Sequence, residues 1–279
     1  MDDPVGWALK REDDPVNEAT HQNLILDQFT RQAAPFSAAA MIKDEAVLRL
    51  IVEAASPQPD DTVLDVACGP GLVVCAFAPR VRQATGIDLT PAMLEEARKA
   101  AAQRRLRNVA LDRGDVYALP YDDASFSIVI ARYAFHHLLD PFTALREMAR
   151  VCSPGGRILV VDAYAPEDAT QAAEYNRVER LRDPSHVRAF SLPELASLFN
   201  RCGLGQPWIT RYELSVELKD LLARAFPNTG DEAEVAAVFT AAAVDGRLGI
   251  PVRREGEAIH IAYHNGRIEI AGAFPKPCL

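Results

Sequence analysis

Three sets of residues in this sequence have the types and spacing to do chemistry. The first is Asp65-Val66-Ala67-Cys68-Gly69-Pro70-Gly71. Glycines there let the backbone turn tightly and let a ligand approach it closely, with a carboxylate heading the turn. Such a turn either cradles a ligand or simply joins a strand to a helix. The second set is two carboxylates set beside glycines, Asp88 in Gly86-Ile87-Asp88-Leu89 and Asp115 in Gly114-Asp115-Val116. An ionised carboxylate accepts strong, charge-assisted hydrogen bonds, and it also caps turns. The third is histidine: His136-His137 after Tyr133, and His186 within Arg182-Asp183-Pro184-Ser185-His186-Val187-Arg188. Imidazole titrates near neutrality and serves as a general base, or it holds a loop by bonding backbone.

Two ligands compete for the glycine loop. The dinucleotide fingerprint is G-x-G-x-x-G with an acid ending the next strand, and it places a pyrophosphate on a bare helix N-terminus. Here Gly69 and Gly71 are present, but Val74 stands where the third glycine belongs. The other ligand is S-adenosylmethionine (SAM), which has no pyrophosphate and carries an ammonium that suits the acid Asp65.

Asp65 to Gly71, Gly86 to Leu89, Gly114-Asp115-Val116 and Ser153-Pro154-Gly155-Gly156, in that order, resemble the class I SAM-dependent methyltransferases. The likeness is closest to the small-molecule branch that includes the ubiquinone/menaquinone-type enzymes, and it spans residues 25–165. It implies a Rossmann-like, doubly wound α/β fold. The sheet has seven strands, mostly parallel, with one reversed strand expected in Arg267 to Phe274. It implies SAM as cofactor, S-adenosylhomocysteine (SAH) as product and a small molecule as methyl acceptor. Asp88 would accept from both ribose hydroxyls. Asp115 would accept from the adenine amino group, and the Val116 amide would serve a ring nitrogen. Leu89 and Met93 would pack the adenine, unless they are plain core. Ala67, Gly69 and Gly71 would give backbone contacts to the methionyl part, and Ala131 and Arg132 would border it. The segment Gln28 to Phe36 resembles a lid, with Arg31 on the SAM carboxylate and Phe29 and Phe36 closing over the ligand.

For the acceptor, methyl transfer demands in-line positioning, and a general base when the accepting atom carries a proton. His136, His137 and His186 are the candidates, with Asp183 placed to orient His186. Tyr133, Tyr175 and Arg182 would face the acceptor. Ala131-Arg132-Tyr133-Ala134 lacks the Asn-Pro-Pro-Tyr of many nucleobase and amide N-methyltransferases, and scattered cysteines speak against arsenic. A nicotinamide-dependent oxidoreductase and a non-catalytic SAM-binding module are the alternatives.

The elements that must hold these groups follow from periodicity. A polar arm covers residues 1–22, and helical spacing runs from Leu24 through Met41 to Val52, broken by Pro35. Strand-like runs then alternate with helices: Thr62–Ala67, Ala84–Leu89, Val109–Asp112, Phe126–Ala131 and Arg157–Ala163. That alternation implies a parallel sheet with ligands at the carboxyl ends of its strands. Thr90-Pro91 and Asp140-Pro141 open helices, and Gly155-Gly156 closes the second. Later come a helix over 191–203, a strand over Trp208–Leu218, a helix over 219–245, and a hairpin from Gly256 to Phe274 turning at Asn265-Gly266. The chain reads as one domain: an arm and lid over 1–55, a SAM-binding core over 56–165, a substrate cap over 166–190 and the rest of the sheet over 191–279.

Composition bounds the function. At 279 residues, 49% apolar and 25% charged, the chain can build a large core. A net charge of −9 argues against a phosphate-backbone partner. No apolar run suits a membrane span, and the N-terminus lacks signal-peptide character, which points to the cytoplasm. Five cysteines without a C-x-x-C pair suggest neither a disulfide framework nor a metal site. The oligomeric state is not legible.

Overall fold

The computed structural model describes residues 18–38 and 45–271. The arm before residue 18, Met41, Phe274 and Cys278 lie outside the described residues. In chain order the elements are α1 (Glu18–Ala38), α2 (Glu45–Ala54), β1 (Thr62–Val66), α3 (Leu72–Phe77), β2 (Gln83–Asp88), α4 (Pro91–Gln103), β3 (Val109–Arg113), β4 (Phe126–Arg132), α5 (Pro141–Val151) and β5 (Cys152–Ala163). There follow α6 (Ala169–Arg182), α7 (Leu192–Arg201), β6 (Trp208–Glu217), α8 (Leu218–Leu222), α9 (Asp231–Asp245), β7 (Val252–Glu255) and β8 (Ala258–Ala271).

The strands form one sheet in the order β3-β2-β1-β4-β5-β8-β6, with β7 added beside β8. The pairs among β1 to β5 are parallel, and β8 runs against both β5 and β6. The reversed strand is therefore the one expected from Arg267 onward. The central strands are apolar on both faces because helices cover both. Leu64, Val66, Val129, Ile158 and Val160 pack with α5 and α7 on one side. Val63, Ile128, Ile130, Leu159 and Val161 pack with α2 and α3 on the other. At about 25 cal/mol per Å² of apolar area, these two layers are the main source of stability.

Several elements depart from the sequence reading. Pro35 does not break the first helix: α1 runs through it and ends three residues later. The proline removes one i−4 hydrogen bond and crowds the Arg31 carbonyl one turn back, but with three residues left to run the cost is confined to the final turn. The helix also starts earlier than expected, at Glu18, because His21 and Gln22 find partners on the core. Gly155-Gly156 does not close α5, which stops at Val151. The glycines lie within β5, where the register with β4 shifts between Phe126 and Ile128. The helix expected over 219–245 is two helices separated by Pro227, Asn228 and Gly230.

The hairpin at Asn265-Gly266 is absent. The strand β8 passes straight through those residues, pairing Asn265 with Ala163 and Gly266 with Asp162. The chain instead turns at Gly256-Glu257, between β7 and β8, which gives the eighth strand. Asn265 is buried and donates its amide to the Tyr263 carbonyl at 2.8 Å. Gly266 is small because a Cβ there would lie 2.5 Å from Leu192 Cδ2. The buried face also changes at this point: Ile259, Ile261 and Tyr263 pack with α6, α8 and α9, whereas Ile268 and Ile270 pack with α7.

Candidate active site

All the carboxylates singled out in the sequence come to the carboxyl end of the sheet. The turn after β1 places Ala67, Gly69 and Gly71 in the left-handed region. Gly69 opens toward a cavity, with only Met93 Sδ at 4.0 Å from where a Cβ would sit. Gly71 faces inward, where a Cβ would lie 2.7 Å from Ala97 Cβ. The two glycines thus do different work: one lets a ligand near the backbone, the other lets α4 close on the loop.

That first cavity encloses about 1020 Å³ of empty space including its mouth, and residues at or just after the ends of β1, β2, β3 and β4 line it. Asp65, Ala67, Gly69, Asp88, Leu89, Met93, Asp115, Val116 and Arg132 line it, as do Phe29 and Phe36 from α1. Gly71, Gly114 and Ala131 do not. They pack behind it, and a Cβ on Gly114 would meet Ile87 at 2.6 Å. Arg31 is also elsewhere: it pairs with Asp27 one turn back and lies over the Phe226 ring.

Each carboxylate of this cavity is held by backbone. Asp88 accepts from the Gly69 and Thr90 amides, both at 2.8 Å and on different oxygens. Asp88 also lines the cavity, which puts its carboxylate within reach of a ligand's hydroxyl groups. Asp65 accepts from the Val74 amide at 3.1 Å. Burial pushes its carboxyl up to about 8, and the Val74 amide and the Arg132 charge only partly offset that. The residue that replaces the third fingerprint glycine therefore gives its N–H to Asp65, and that amide is not available to a pyrophosphate. Asp115 accepts from the Tyr117 amide at 3.0 Å and from the Gln22 side-chain amide at 2.9 Å.

A second cavity, about 770 Å³ of empty space including its mouth, adjoins the first. Phe29, Phe36, Tyr133 and His137 line both and form the wall between them. Tyr133 takes a left-handed backbone, with φ at 55°, which is costly for a bulky residue. Its amide bonds the Val161 carbonyl at 2.8 Å, and Arg132 lies over its ring. Tyr175, Arg182, His136 and His186 all line this second cavity.

The three histidines differ. His136 Nδ1 meets Asp162 Oδ1 at 2.5 Å, and its backbone amide donates to Asp162 Oδ2 at 3.1 Å. A carboxylate only accepts, so Nδ1 carries the proton or the ring is charged, and Nε2 is the reactive nitrogen. Burial opposes charge on His136, but the Asp162 carboxylate outweighs it and holds the imidazole above its ordinary value. His137 Nδ1 meets the Ser185 carbonyl at 3.0 Å, and burial with its charged neighbour His136 lowers it. His186 Nε2 meets Asn176 Oδ1 at 2.9 Å and is lowered by burial. Asp183 does not orient His186. Its carboxylate accepts from the Ser185 amide and hydroxyl and from Gln32.

Asp162 is the group the sequence reading missed, although it stands one residue from the end of β5, much as Asp88 ends β2. Gln22, Gln32, Asn176, Glu179 and Arg224 were missed too. They reach the site from helices or a helix end whose facing could not be read. Among the described residues no cluster is built to hold a metal ion. No helix among them is long and apolar enough to cross a membrane.

Residues 64–160 match the family model described as a methyltransferase domain. The uncharacterized methyltransferase YcgJ of Bacillus subtilis is 39% identical over 197 residues, covering 68% of this chain and 78% of that one. Its crystal structure superposes with a TM-score of 0.75 at 30% identity, over 82% of this chain and 98% of the other. The malonyl-[acyl-carrier protein] O-methyltransferase of Serratia marcescens is 29% identical over 206 residues, 74% of each. A geranyl diphosphate methyltransferase solved with SAM shares the fold, with a TM-score of 0.60 at 17% identity over 93% and 92% of the two chains.

Proposed function

The chain belongs to the class I SAM-dependent methyltransferases that act on small molecules, and we propose that the first cavity takes SAM, the second takes the acceptor, and His136 is the general base. The observation that carries this reading is the shared wall of Phe29, Phe36, Tyr133 and His137, which makes the two cavities neighbours. In-line transfer brings the methyl carbon and the accepting atom into direct contact, and the border shared by two adjoining cavities is where a donor in one and an acceptor in the other can touch.

The residues of the first cavity suit SAM. Asp88 has lone pairs for two ribose hydroxyls, Asp115 has one for an amino group, and Leu89 and Met93 offer apolar surface. Asp65 is a buried carboxylate whose ionisation is costly until a cation comes close. When bound, SAM supplies a methyl carbon already activated by the sulfonium. The protein then has to position the acceptor and remove its proton. His136 Nε2 takes that proton from an O–H, N–H or acidic C–H of the acceptor, and the resulting imidazolium is stabilised by Asp162. His137, lowered by burial, stays neutral and packs with Phe29 edge-on at 4.9 Å on the border of the two cavities. Arg31 has no part in this account.

The acidic charge favours a small molecule over a nucleic acid as partner. Buried free thiols at Cys68, Cys75 and Cys152 suit a reducing compartment such as the cytoplasm. Calorimetric titration with SAH and NAD, on wild type and Asp88→Ala, tests the cofactor assignment. SAH is expected to bind, the variant to lose roughly a hundredfold in affinity, and NAD not to bind. Binding of NAD alone would overturn it.

A further inference from the structure

The charges around the second cavity are matched, and the hydrogen bonds there show how. Asp162 accepts twice from His136 and once from the Ala163 amide. Glu179 accepts from Arg182 Nε at 2.9 Å and Nη2 at 2.7 Å, and from the Tyr263 hydroxyl at 2.8 Å. Asp183 accepts from the Ser185 amide and hydroxyl and from Gln32, and the Arg182 charge acts on it too. Arg224, from the turn after α8, lies near Arg182, and Asp220 of α8 offsets its charge. Arg180 donates to the Val187 carbonyl at 3.4 Å, and its charge reaches His186.

The cations are therefore Arg180, Arg182, Arg224 and, when protonated, His136. The carboxylates are Asp162, Glu179, Asp183 and Asp220. With His136 protonated the two signs balance. With His136 neutral the surplus is the Asp162 charge, which protein donors already hold. An ion of either sign entering such a space loses hydration and finds its countercharge engaged. The rest of the wall is apolar, with Phe29, Phe36, Ala163, Ala189, Leu214 and Leu221. One group asks for a polar partner: neutral His136 has Nδ1 committed to Asp162, so Nε2 calls for a donor.

On the reading that this cavity takes the acceptor, we infer that the acceptor is uncharged: a proton-bearing atom for His136 on an apolar body, without carboxylate, phosphate or ammonium. The accepting atom gives its proton to Nε2 and takes the methyl in its place. The product is again uncharged, and the cavity is left in its balanced state, with the imidazolium beside Asp162.

The test is calorimetry on the SAH-loaded protein with four probes of similar size: phenol, anisole, benzoate and benzylamine, the last a cation at pH 7. Phenol is expected to bind at least about tenfold tighter than the two ions, and roughly fivefold tighter than anisole, which has the ring but no donor. His136→Phe is expected to erase the gap between phenol and anisole. Glu179→Gln releases Arg182 from its carboxylate, so benzoate is expected to gain roughly tenfold on phenol. Four results overturn the proposal: either ion level with or ahead of phenol in the wild type, no phenol binding at roughly 10 mM, a phenol–anisole gap that survives in His136→Phe, or a benzoate affinity unmoved by Glu179→Gln. The wild-type order decides alone where a variant no longer holds SAH. SAH binding is measured first. Its failure would count against the cofactor assignment, whereas intact SAH binding with an ion preferred counts against this inference alone.

Discussion

At the scale of the residue, His136 and Asp65 carry the sharpest expectations. His136 works as a base only when deprotonated, and Asp162 holds its imidazole above the ordinary 6.5. The acceptor rate is therefore expected to rise with pH through a value above 6.5, with an acid limb. Asp162→Asn removes the charge that raises the pKa, so the limb moves to lower pH while the plateau falls by roughly 10²–10⁴. A pH profile of kcat/KM reads both, and a plateau that falls with no shift of the limb would leave Asp162 a merely structural part. Asp65, raised to about 8, is largely protonated at pH 7 in the free protein. A ligand ammonium favours its ionised form, so SAH binding is expected to release up to about one proton. Titration in phosphate and in Tris at pH 7 measures it, and an identical enthalpy in both contradicts it. The carboxylates on strand ends were legible, because a short apolar run ending in Asp is visible in the chain. The partners of His136 and His186 were not: which of three histidines meets a carboxylate depends on how β4, β5 and the 183–190 loop pack.

At the scale of the element, the glycine loop separates structural from functional roles. Gly71→Ala puts a Cβ 2.7 Å from Ala97 at a φ of 75° and is expected to cost roughly 2–4 kcal/mol of stability. Gly69→Ala meets open space and is expected to cost only about 1 kcal/mol, while weakening SAH binding. Urea unfolding alongside SAH titration separates them, and equal destabilisation by the two would contradict the assignment. The same logic explains what the sequence misled on. An Asn-Gly pair between apolar runs reads as a turn, yet in β8 the glycine exists because Leu192 presses on it. Local turn chemistry lost to tertiary packing there. The parallel core was readable because its strands are short apolar runs bounded by Gly, Pro and Asp. The C-terminal third was harder, since β6 alternates weakly and Trp208 remains 73% exposed.

At the scale of the whole molecule, α1 is the element that joins the two cavities. Its residues at 22, 25, 29, 32 and 36 lie along one stripe, with Gln22 and Ile25 over the first cavity, Gln32 over the second, and Phe29 and Phe36 over both. It is held largely by polar bonds: Gln22 to Asp115, His21 to the His137 carbonyl, Gln32 to Asp183 and Gln28 to the Phe226 carbonyl. Bonds of this kind open at low cost compared with a buried apolar layer. SAH is therefore expected to slow amide hydrogen exchange in residues 18–38 more than in β1 to β5. Uniform protection across the chain would show that α1 is a fixed wall instead of a lid.

The most direct measurement of the central claim is a crystal structure of the protein with SAH. The account predicts the ribose hydroxyls on Asp88, the adenine amino group on Asp115 in place of the Gln22 amide, and the sulfur against the wall of Phe29, Tyr133 and His137, facing His136 across it. SAH lying in the second cavity, or with its sulfur turned away from that wall, would contradict the account.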